Sequence, residues 1–141
     1  MVFKRPGVVV GDKYVPAGLR DVVLPFNWDV HRVWQLRCPE EIRHRQTFDY
    51  LLELPLWSSQ PGSGMHFDLS PMAVIREPEY APHQTERILK TDTAYPLEFL
   101  EYRGQCWILD GVHRLAKLYI SGVERVDIRI HEEAVIPLIQ V

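Results

Sequence analysis

The stretch CWILDGVHRLAKLYISGVERVDIRI, residues 106–130, constrains the fold more than any other part of the chain. A short apolar run ends at Asp110-Gly111, and Leu115, Leu118 and Tyr119 then recur at helical spacing up to Gly122. After it, Val126, Ile128 and Ile130 alternate with Arg125, Asp127 and Arg129. A glycine just past the last periodic residue is a common helix stop, and alternation of apolar with charged residues marks a strand with one buried face. The segment predicts strand, helix, strand. A helix that starts directly after a strand gathers unpaired backbone N–H groups and the positive end of its dipole at one point. Gly111 permits close approach of a ligand, His113 brings an imidazole that gives or takes a proton, and Arg114 brings a planar fork matched to two phosphate or carboxylate oxygens. Asp110 caps the helix or coordinates Mg2+ beside a phosphate. The same four residues have a plain explanation as N-cap, turn and two exposed first-turn side chains.

The flanking segments extend this pattern. YPLEFLEYRGQCWILDG holds two strand-like runs joined by Arg103-Gly104-Gln105, which predicts a hairpin. EPEYAPHQTERILKTD predicts a helix beginning near Pro82, with His83, Glu86 and Arg87 in its first turns. From Pro39, PEEIRHRQTFDYLLELPLW reads as a helix stopped by Pro55, with Ile42, Phe48, Leu51 and Leu52 toward one side. NWDVHRVWQL reads as a short segment laid on the core with Trp28 and Trp34 buried, and MHFDLSPMAVI as a short strand followed by a turn. SSQPGSG has the composition of a solvated loop, a place for a lid, and the Pro- and Gly-punctuated first third predicts short strands and turns. The expected architecture is α/β (α+β), a small mixed sheet with helices, in a single domain over residues 1–141.

Composition narrows the partners. A net charge of −3 with both signs interspersed disfavours DNA binding. No run approaches the roughly 18 apolar residues of a membrane span, and MVFKRPGVVVGD lacks the apolar core of a signal peptide. Cys38 and Cys106 lie in no CxxC spacing, which points to a reduced, cytoplasmic protein. His66, Asp68, His83 and His113 are metal-ligating types without ligand spacing, so no metal site is expected. There is no Gly-x-Ser-x-Gly elbow for a serine nucleophile.

WILDGVHRLAKLYISGVERVDIRI, preceded by YPLEFLEYRGQ, resembles the ParB/sulfiredoxin superfamily, whose members often show a strand, a DGxHR-like turn, a Leu- and Ala-rich helix ending in glycine, and another strand. LKTDTAYPLEFL and FDLSPMAVI resemble the segments ahead of that motif, and residues 1–60 stand as a family-specific extension. The resemblance implies a small mixed-sheet domain that binds a nucleotide or phosphate, with Gly111, His113 and Arg114 as the phosphate-contacting turn and His113 and Asp110 as the catalytic pair. The implied ligand is a nucleoside phosphate with Mg2+, and the implied activity is phosphoryl transfer to a small molecule. The alternatives are a noncatalytic anion- or nucleotide-binding module and a motif kept only as a folding element. A homodimer is compatible with any of these. Two departures bear on activity: Val112 stands where sulfiredoxins carry their cysteine, and only RVDIRI and HEEAVIPLIQV follow the motif where ParB proteins have a helix-turn-helix. Related kinases use a glutamate elsewhere in the pocket, for which Glu77, Glu79 and Glu86 are the candidates.

Overall fold

In the computed structural model, residues 8–10, 13–15, 24, 26–61 and 68–141 are described. Two short strands, β1 (Val8–Val10) and β2 (Lys13–Val15), pair antiparallel with Val8 opposite Val15. The main sheet has four strands, β3 (Glu41–His44), β4 (Leu97–Tyr102), β5 (Gln105–Asp110) and β6 (Arg125–His131), in the order β3-β6-β4-β5. β4 and β5 form the expected hairpin, whose turn residues Arg103 and Gly104 both have positive φ, 51° and 76°. That is the primed turn whose twist matches flanking strands. β6 then pairs parallel to β4 and antiparallel to β3, so the sheet is mixed. The fold class is α+β, as the sequence predicts.

Strand alternation assigns the two faces. Leu97 and Phe99 of β4, with Val126 and Ile128 of β6, pack against Phe48, Leu52, Leu115 and Ile88. Leu100, the residue after Phe99, joins Val33, Leu109 and Ile139 in a second cluster on the opposite face. The first face is covered by a 3-10 helix (Arg45–Glu53) and by α2 (Pro71–Arg76), α3 (Pro82–Lys90) and α4 (Val112–Ile120). The second carries α1 (Val30–Gln35) and the one-turn α5 (Ile136–Ile139). Each fully buried Leu, Ile or Phe contributes on the order of 2 kcal/mol, so these layers dominate stability. No helix among the described residues is long and apolar enough to cross a membrane.

Three local expectations are corrected. Residues 41–44 are a strand and not the start of a helix, because their backbone groups pair with the edge of β6 and leave Ile42 64% exposed; the buried stripe begins only at Arg45 and continues through Phe48, Leu51 and Leu52. Residues 71–76 are helical where a turn was expected: Ser70 accepts a hydrogen bond from the Ala73 N–H at 3.1 Å and Pro71 occupies the first helical position, a cap-and-proline start. Trp34 is 51% exposed and Trp28 half-buried, so the paired tryptophans are not a buried unit. Part of the SSQPGSG loop and the start of MHFDLSPMAVI, residues 62–67, lie outside the described residues.

Candidate functional site

β5 ends at Asp110, and Gly111 turns the chain into α4 with φ +113°. Only glycine adopts that conformation without strain, and space is short as well: a Cβ there would lie 2.8 Å from Leu97 Cδ2. The first helical bond runs from the Leu115 N–H to the Gly111 carbonyl at 2.8 Å, so the preceding N–H groups of Val112, His113 and Arg114 point out of the helix start. Gly111 offers no side chain to cap them. They open into a cleft of about 320 Å³ whose other wall is the end of α3, with Arg87, Lys90 and Thr91. Lys117 fastens the two helices by donating to the Leu89 and Thr91 carbonyls, each at 2.9 Å.

The four sequence-predicted residues do meet here, with different partners from those expected. Asp110 does not cap the helix. Its Oδ2 accepts from Arg114 Nη2 at 2.7 Å and from Trp34 Nε1 at 2.9 Å. Arg114, 8% exposed, also donates through Nη1 to the Pro96 and Tyr95 carbonyls. The fork expected to face phosphate is therefore turned onto protein acceptors, and Arg114 is no exposed first-turn residue. The cause is geometric: the left-handed turn at Gly111 starts α4 directly at the end of β5, so that Arg114 in the first helical turn meets Asp110 at the strand's end. The same pairing counts against Mg2+. Asp110 is the one carboxylate lining the cleft among the described residues, and its charge is already matched by Arg114. These residues do not fit a Mg2+ site.

His113 is held on two sides. Its ring stacks on Trp57 with centroids 4.2 Å apart and planes 14° from parallel. Its Nε2 lies 2.8 Å from Gln84 Oε1, and Gln84 Nε2 in turn donates to the Ser58 carbonyl at 3.0 Å. That second bond fixes the amide orientation, so His113 Nε2 carries the proton and donates, leaving Nδ1 as an acceptor. Burial, with the nearby Arg87 charge as a lesser cause, pushes the imidazole down to about 3 from an ordinary 6.5. His113 is thus neutral at neutral pH. An unfolded histidine takes up a proton in the interval where the folded one does not. Its contribution to stability is therefore complete above about pH 6.5 and falls as pH drops toward 3. His113→Gln is expected to flatten the fall in urea midpoint over that interval; an unchanged profile would contradict a neutral buried imidazole.

Residues the sequence reading left in the background complete the site. Arg87 makes no ion pair or side-chain hydrogen bond among the described residues, whereas Lys90 pairs with Glu86. Their signal was the i, i+3 spacing that puts both on one side of α3. Glu77, Glu79 and Glu86 do not line the cleft, and the Lys90 ammonium holds Glu86 below the usual carboxylate range. His83 meets the Ser58 carbonyl, Asp68 accepts from Ser59, and His66 lies outside the described residues. No group of three metal-ligating side chains occurs among the described residues. Burial pushes the Cys106 thiol up to about 11, which keeps it protonated and inert. The cleft therefore offers an anion three things: outward N–H groups, one unpaired guanidinium and an ammonium. Comparison of the chain with family models, curated proteins and solved structures finds no match.

Proposed function

We propose that this chain is a phosphate- or nucleotide-binding domain of the ParB/sulfiredoxin kind, and that it acts as a binding module and not as a phosphotransferase. The observation that carries the reading is the start of α4 opening, through Gly111, into a cleft faced by the unpaired Arg87. Backbone N–H groups at a helix start together with a guanidinium are the groups that hold phosphate oxygens. Arg114 and Asp110 brace the turn, and His113, bonded to Gln84 and stacked on Trp57, holds the helix start in place without giving up a proton. Phosphoryl transfer would need a base or a metal-holding carboxylate; Asp110 is paired and the candidate glutamates lie elsewhere. Cys38 and Cys106, two separate free thiols, accord with a cytoplasmic setting.

Calorimetry with inorganic phosphate, ATP, ADP, CTP and GTP, with and without Mg2+, tests binding, and phosphorus NMR of the same mixtures tests turnover. Binding is expected without phosphoryl loss. Arg87→Ala is expected to weaken it about tenfold while leaving the urea midpoint within error, since the side chain is exposed. Turnover would overturn the noncatalytic assignment. Absence of binding by every probe would overturn the reading as a whole.

A further inference from the structure

We propose that a second cleft, on the other flank of Arg114, binds a small organic cation with an apolar body. This cleft has a volume of about 530 Å³, within the range of small-molecule sites. It shares Arg114 and Thr91 with the anion cleft but is built from other chemistry. Trp34 and Tyr95 line it and are 51% and 65% exposed, and Pro96 adds to its apolar lining. Trp34 is held in place by its indole bond to Asp110 at 2.9 Å, so one aromatic wall is fixed before any ligand arrives.

The charges select the ligand. Both cations lining the cleft are already matched: Arg114 by Asp110 at 2.7 Å and Arg129 by Glu98 at 2.9 Å. Glu40 and Asp92 line the same cleft and make no ion pair among the described residues; Asp92 only accepts the Ala94 N–H through Oδ1. Two unmatched carboxylates beside two exposed aromatic rings favour a cation twice, by Coulomb attraction and by the ring quadrupoles, and repel an anion. The occupant is therefore of opposite charge to that of the neighbouring cleft, and this site does not depend on the anion reading.

The test follows the Trp34 indole N–H resonance, assigned with Trp34→Phe, while the protein is titrated with phenethylammonium, its neutral analogue phenethyl alcohol, and phenylacetate. Phenethylammonium is expected to shift the resonance to saturation. The alcohol is expected to bind about tenfold more weakly, and phenylacetate to leave the resonance unmoved. The double variant Glu40→Gln, Asp92→Asn is expected to lose the same factor of about ten for the ammonium. Both side chains are exposed, and the amide introduced at position 92 keeps an acceptor for the Ala94 N–H, so the fold is expected to survive the change. Equal affinity for ammonium and alcohol, undiminished binding by the double variant, or no shift with any probe would overturn the proposal.

Discussion

Glu98→Ala is expected to lower folding stability by about 4 kcal/mol, measured by urea unfolding, enough to leave a protein of ordinary stability marginal. Glu98 sits in β4, where its neighbours Leu97 and Phe99 face one core and its own side chain faces the other, 3% exposed. There it receives Arg129 Nε at 2.9 and 3.0 Å and His131 Nε2 at 2.7 Å, both from the adjacent strand β6. Arg129 continues outward to the Val33 and Leu36 carbonyls at 2.8 and 2.9 Å, tying the end of α1 to the sheet. Removing the carboxylate leaves a guanidinium buried without its counter-charge, and that uncompensated charge, more than the lost pair, is what destabilises. Hence Glu98→Leu combined with Arg129→Met is expected to be less harmful than Glu98→Ala alone. A loss below about 1 kcal/mol for the single variant would contradict a desolvated pair.

Gly111→Ala is expected to cost about 3 kcal/mol, and Gly104→Ala about 1 kcal/mol. Both glycines have positive φ, so both substitutions impose backbone strain, but the surroundings differ. A Cβ at Gly104 meets nothing within 4 Å, whereas at Gly111 it would press on Leu97 Cδ2 at 2.8 Å and Arg114 Nη1 at 3.3 Å. The difference between the two variants isolates the close packing of the motif turn on β4. Equal losses would mean that conformation alone requires glycine at position 111.

The sequence was most legible where local and tertiary preferences agree. The hairpin of β4 and β5, the helix α3 from Pro82, and the helix α4 between Gly111 and Gly122 have their own turn residues and their own periodicity, and each forms where the pattern places it. Residues 41–44 failed because Ile42 suggests a helical stripe, while the free edge of β6, contributed by residues far along the chain, provides the stronger partner. Ser70-Pro71 was a helix start in plain view, obscured by the brevity of α2. At the candidate site, position was legible and pairing was not. Asp110 and Arg114 meet only because of the backbone geometry of the Gly111 turn, and the third partner, Trp34, comes from a helix on the opposite face of the sheet. Arg87 was passed over because an exposed basic residue on a helix gives no local signal; its place beside the turn follows only from the packing of α3 against α4.

The most direct measurement for the central claim is titration of the isotopically labelled protein with inorganic phosphate, following the backbone amides of Val112, His113 and Arg114. Those three resonances are expected to move together to saturation, with Arg87→Ala weakening the same curve, while the amides of β3, at the far edge of the sheet from β5, stay still. Amides at the start of α4 that stay fixed while phosphate binds elsewhere, or that never respond, would contradict an anion site at this turn.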